Sequence, residues 1–163
     1  MVTLSSDATS IAPPNMFENM RLTWNMGIPW KDTDTEQIPP IGFQEVIEMA
    51  TINGARALGL ADITGSLTPG KCGDLILIRT TDLNIAPLAQ IETTIVQSAT
   101  PANVDTVMID GRLIKRAGHL THFDVPEIVH CAERSALRVR QGAGGVLKPV
   151  SEAMGNPVFC AAC

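Results

Sequence analysis

The sequence has no tyrosine, and aromatic residues make up only 4% of it. That scarcity excludes the stacking platforms on which single-stranded nucleic acids are held. Basic residues are outnumbered, 12 Lys and Arg against 17 Asp and Glu, for a net charge of −5. Such a chain lacks the basic face that displaces counterions from a phosphate backbone, so no nucleic-acid partner is expected. No apolar run is long enough to cross a bilayer. No basic segment followed by an apolar core opens the chain. We therefore expect no membrane partner and a cytoplasmic location. The only cysteines are Cys72, Cys131, Cys160 and Cys163, two of them in the last four residues, which is too sparse for a disulfide framework.

What is present suffices for a core. Hydrophobic residues make up 45% and charged residues 18% of 163 positions, room for one domain or parts of two. Val2-Thr3-Leu4 is β-prone but short, and it runs at once into Ser5-Ser6-Asp7. A strand of that length needs neighbours to pair with, so the chain reads as opening inside a fold. Asn15 suits a helix N-cap, with Glu18 three residues on. Phe17, Met20 and Trp24 then share one helical face, closed by Gly27 and Pro29. A second, longer helix is expected over residues 43–58, with Phe43, Val46, Ile47, Ala50, Gly54, Ala57 and Leu58 on its apolar stripe. Gly54 on that stripe costs helix stability unless it permits a close approach.

After Gly65 the pattern turns to strands. Leu75-Ile76-Leu77-Ile78 reads as a short buried strand, and Ile91 to Val96 as another. Two strand-like runs flank Asp110-Gly111, a strong hairpin signal because both turn residues must take positive φ. Asp124 then caps a last helix with Pro126 in its first turn and Ile128, Val129, Ala132, Ala136 and Val139 on its apolar face. Residues 142–163 show no period and read as a loose tail.

Taken in order, these segments resemble the amidohydrolase superfamily of metal-dependent hydrolases, in its cytosine deaminase and triazine hydrolase branch. Thr3-Leu4-Ser5-Ser6-Asp7 resembles the eighth barrel strand, which ends in an aspartate. Met16 to Arg21 resembles the helix that follows, and Ala50 to Gly59 that branch's late helix. Gly65-Ser66-Leu67-Thr68-Pro69-Gly70-Lys71-Cys72-Gly73-Asp74-Leu75 is similar to the superfamily's re-entry into a small β-sandwich. Val104 to Arg112 resembles its last hairpin.

The resemblance implies an α/β fold: the last strand and helices of a (β/α)8 TIM barrel plus the C-terminal strands of a small composite β-sandwich. On it, residues 1–62 end the barrel domain, 63–121 form a urease-like sandwich segment, 122–141 a C-terminal helix and 142–163 a tail. It implies hydrolysis of a C–N or C–Cl bond in a heteroaromatic or amidine-like small molecule, with Zn2+ or Fe2+ activating water. Asp7 would be both metal ligand and proton shuttle. The family's metal-binding histidines would precede residue 1, so little activity is expected of this chain alone. The alternative is a non-catalytic assembly module, or the complementing part of a split hydrolase. Exposed strand edges then predict a homo-oligomer or the need for a missing N-terminal portion.

Other candidates weigh less. Ser5 and Ser6 lack a nucleophile elbow, and Ser10 and Asn15 fit a turn and a cap as well as a substrate pocket. His119 and His122 have ligand-like spacing but read as a surface loop, and His130 as a helix-face residue. Cys160 and Cys163 form a C-x-x-C with no strand-to-helix context. Asp32, Asp34 and Glu36 lack the glycine and distal glutamate of a calcium loop.

Overall fold

The computed structural model describes residues 1–9, 13–27 and 40–143. The chain divides into two compact units, Met1–Thr121 and His122–Cys163. Helix α1, Met16–Met26, begins where expected: the Asn15 side chain accepts the Glu18 N–H at 3.3 Å. It ends at Gly27, whose N–H reaches the Thr23 and Trp24 carbonyls. Phe17 and Met20 are its buried residues, and Trp24 stacks on Phe43 with ring centroids 4.7 Å apart.

The long helix expected over residues 43–58 is two short ones, α2 (Phe43–Met49) and α3 (Ile52–Ala57). The break falls at Thr51, whose backbone leaves the helical region at φ −133°, ψ −98°. Its hydroxyl donates to the Ile47 carbonyl at 2.7 Å, a local side-chain bond that competes with the helical ladder. The apolar period survives the break, because both helices still turn one face inward and bury Val46 and Ala55.

Strands β1 (Leu75–Ile78), β2 (Val104–Ile109), β3 (Arg112–Arg116) and β4 (His119–Leu120) form an antiparallel sheet in sequential order. The hairpin between β2 and β3 turns at Asp110 (φ 49°) and Gly111 (φ 74°), the two positive values its tight turn requires. The strand expected from Ile91 to Val96 is instead helix α4 (Ile91–Thr93), widening into a π-helical turn, Thr94–Ser98. Burial overrides the β-branched propensity there: Val96 and Ala99 are fully buried, packed with Phe17, Met20, Val46, Ile85 and Val104 in one core. Arg21 secures the end of that turn by donating to the Gln97 and Ala99 carbonyls at 2.9 and 3.0 Å.

The strand expected at residues 2–4 does not form. No described strand lies beside these residues to supply a ladder. They are held instead by single hydrogen bonds to α2 and α3, as set out below.

In the second unit the described element is helix α5, Val125–Gly142. Asp124 caps it by accepting the Glu127 N–H at 3.0 Å, with Pro126 in the first turn. Its apolar residues Ile128, Val129, Leu137 and Val139 are exposed.

Candidate functional site

Asp7 sits on an exposed turn just beyond Leu4, which packs against the core. Its φ of 52° is unusual for a residue with a side chain, though aspartate tolerates it better than most. Its N–H donates to Ser5 Oγ at 3.2 Å, which gives the expected strand serine a role in shaping the turn. Ser10 lies outside the described residues. Asn15 is occupied as the cap of α1.

An open, mostly apolar groove of about 680 Å3 runs between α1, the α2–α3 pair and β1. Phe17, Met20, Ile47, Leu58, Ile76 and Ile78 are among the side chains that line it. Among the described residues β1 is an edge strand, and Ile76 and Leu77 on it are about half exposed.

Asp74, which the sequence offers only as part of a motif, proves to be a structural tie. It accepts the Thr64 hydroxyl at 2.5 Å and the Asp110 N–H at 2.7 Å, joining the loop after α3 to the β2–β3 hairpin. The Thr64 hydroxyl first and the Asp110 N–H second hold its carboxyl below the usual aspartate range. Cys72 lies beside the same hairpin, where hydrogen bonding to Asp110 pushes its thiol up. That disfavours the thiolate a reactive cysteine needs. Lys71 supports the loop by donating to the Ala61 carbonyl and to Ser66 Oγ at 2.8 Å.

The histidines do not gather at Asp7. His119 pairs with Arg116 in the β3–β4 ladder, a short strand rather than the expected surface loop. His122 is exposed, and His130 lies on α5, 3.9 Å from Glu133. Among the described residues, no group of three or more His, Cys, Asp or Glu side chains is placed to hold a metal ion. Asp7 is a suitable oxygen donor for zinc, but one carboxylate is far short of the three or four ligands such a site requires. The described residues therefore do not by themselves fit a metal centre. Asp32, Asp34, Glu36, Cys160 and Cys163 lie outside the described residues.

Sequence reading missed two asparagines that touch the Asp7 segment, Asn19 and Asn53. The available signal was that asparagine is a poor residue inside a helix unless its side chain has other work. It also missed the polar knot around Asn103, buried to 2% exposure.

Comparison with known proteins places these features in a family. The model of the amidohydrolase family matches residues 1–114. A 5-methylthioadenosine/S-adenosylhomocysteine deaminase from Desulforudis audaxviator is 39% identical over 94 residues, covering 58% of this chain and 22% of its own. The chain thus spans about a fifth of the length of that relative. Among solved structures, an adenosine deaminase from Xanthomonas campestris with bound zinc superposes with a TM-score of 0.69 at 26% identity, covering 77% of this chain and 28% of its own. An atrazine chlorohydrolase from Arthrobacter aurescens, complexed with zinc, superposes with a TM-score of 0.62 at 21% identity, over 74% of this chain and 26% of its own, a likeness of fold. With most of its length matched by the family model, the chain belongs to the amidohydrolase family.

Proposed function

We propose that this chain is the C-terminal part of a metal-dependent deaminase that removes an amino group from an adenine nucleoside or a related heteroaromatic small molecule. In this reading residues 1–62 close a (β/α)8 barrel and residues 63–121 contribute strands to a β-sandwich. The likeness to a zinc-containing adenosine deaminase supports both the fold and the substrate class. The similarity to a methylthioadenosine/adenosylhomocysteine deaminase supports the same class. The C–Cl alternative rests on the atrazine chlorohydrolase, whose 21% identity speaks for fold and not for substrate.

The observation that carries the reading is the place of Asp7. It is an exposed carboxylate in a constrained turn, at the end of a segment that ties directly to the helices of the core. A carboxylate so presented can accept a proton from an attacking water and return it to the leaving amine. A Zn2+ or Fe2+ ion belongs to this reading as the activator of that water. Asp7 is the one ligand for it that we assign to this chain.

A second reading has its own observation. The apolar groove and the edge of β1, unpaired among the described residues, give a surface on which another polypeptide segment could add a strand. On that reading the chain is an assembly module or the complementing part of a split hydrolase.

The test is to express the chain alone and together with the sequence encoded immediately upstream of Met1, measuring bound metal and ammonia release from adenosine. The proposal expects metal and turnover only in the assembled protein. Stoichiometric metal and turnover in the isolated chain would overturn it, as would an assembly that binds no metal. An assembly that forms a stable complex without any deaminase or chlorohydrolase turnover would favour the second reading.

A further inference from the structure

The segment that carries Asp7 has no strand partner among the described residues, yet hydrogen bonds fix it against three helices. The Met49 carbonyl, at the end of α2, accepts the Leu4 N–H at 3.1 Å and the Thr3 hydroxyl at 3.0 Å. From α3, Asn53 Nδ2 donates to the Val2 carbonyl at 3.2 Å. From α1, Asn19 Nδ2 donates to the Ser5 carbonyl at 3.1 Å. Gly54 makes the close approach possible, because a Cβ there would stand 3.3 Å from Thr3 Oγ1.

Ser5 is the pivot of this arrangement. Its carbonyl is held by Asn19 while its hydroxyl accepts the Asp7 N–H. The turn that aims the carboxylate therefore hangs on a residue whose position a side chain of α1 sets. Asn53 fixes the same segment three residues earlier, from a different helix. Neither asparagine is buried, so neither is needed to fill the core.

We propose that Asn19 and Asn53 are positioning residues for Asp7, acting as a two-point amide clamp on the backbone that leads to it. Their role in catalysis rests on the reading of Asp7 given above. Side-chain amides suit the task, since each offers a donor to a carbonyl that no ladder among the described residues satisfies. Rigid support of this kind is what holds a reacting group in its productive geometry.

The clamp is tested on the full 163-residue chain by 15N relaxation, comparing the unmodified protein with N19D and N53D. Each change keeps the shape of the side chain and removes the donor. Asn53 also accepts a hydrogen bond from Arg56 Nη1 at 2.9 Å, and N53D preserves that contact as an ion pair. A merely structural role on the surface of α3 would therefore survive the substitution, whereas the clamp would not. The expected result is a fall in the order parameter of the Asp7 amide from about 0.85 to below about 0.6 in both variants. The amides of β2 and β3 keep their values.

Undiminished order at Asp7 in both variants would overturn the proposal. Should a variant fail to fold, the unmodified chain still decides. Cross-relaxation from the Asn19 side-chain amide to Ser6, and from that of Asn53 to Thr3, is expected, and its absence at both sites overturns the clamp. These readouts involve no turnover, so they stand apart from the fate of Asp7 itself. A firmly held Asp7 that proves dispensable for deamination would sink the catalytic reading and leave the clamp intact.

Discussion

Asn103 offers a sharp test of the packing described here. It is only 2% exposed, at the junction of the turn Pro101–Asn103 and β2. Its Nδ2 donates to Asp82 Oδ2 at 2.8 Å and to Asn84 Oδ1 at 3.0 Å. Its Oδ1 accepts the Thr100 N–H at 2.9 Å, the Thr100 hydroxyl at 2.9 Å and Asn84 Nδ2 at 3.0 Å. N103A strips these partners at once and leaves part-buried donors unpaired. Each such loss costs about 1–3 kcal/mol, and water reaches some of the partners, so the expected total is roughly 2–3 kcal/mol. For a unit of this size that lowers Tm by about 8–12 °C.

N103D is the informative companion. It retains the acceptor for Thr100 but offers no proton to Asp82, so two carboxylates face each other. Asp82 is held below the ordinary aspartate value first by the Asn103 amide, against the opposing effect of burial, with Arg79 adding to the lowering. With that amide replaced by a carboxylate, the introduced group has a raised pKa in the folded state. A carboxyl group whose folded pKa is raised destabilises as pH climbs past its unfolded value, and the penalty fades as pH falls below it. N103D should therefore be less stable than N103A at pH 7, and that gap should close near pH 4. Urea denaturation at the two pH values measures both differences. An N103D protein as stable as the unmodified one at pH 7 would show that the Asn103 amide does not support Asp82 in this way.

Three further outcomes are expected. Asp74 has its folded pKa depressed by the Thr64 hydroxyl and then the Asp110 N–H, so its contribution is present above the ordinary value of 3.8 and lost as pH falls through the folded value. Thermal melts from about pH 5 to pH 2 should thus fall more steeply for the unmodified chain than for D74N. Val46 is fully buried, and V46A removes two methylene equivalents and leaves a cavity, for about 2–3 kcal/mol in urea denaturation. I76K, on the exposed edge strand, should change the stability of the isolated chain by less than about 0.5 kcal/mol. Binding of a complementing segment to β1 should weaken at least roughly tenfold in the same variant, because an edge lysine opposes strand addition.

The comparison of sequence with structure divides along physical lines. Local signals read truly: the Asn15 and Asp124 caps bond as their chemistry dictates, and Asp110-Gly111 turns a hairpin because its backbone needs positive φ. Errors arose where tertiary burial outweighed local preference. Ile91 to Val96 is rich in β-branched residues, yet packing of Val96 and Ala99 against the core makes it helical. The stripe over residues 43–58 concealed a break at Thr51, since periodicity continues through a kink when both pieces pack on the same core. The motif singles out Asp7, and the structure gives it an exposed turn; its part in catalysis belongs to the proposal above. Asn19 and Asn53 were not legible as its supports, because their partners lie 14 and 51 residues away and are backbone atoms that no side-chain pattern reveals.

The claim on which this account depends is that Asp7 handles the proton in deamination while another polypeptide segment completes the site. Turnover of the assembled protein carrying D7N tests it most directly. The account predicts a loss in kcat of about 100-fold to 10,000-fold, the usual contribution of a positioned acid–base group, with folding unchanged. Turnover equal to that of the unmodified assembly would contradict it.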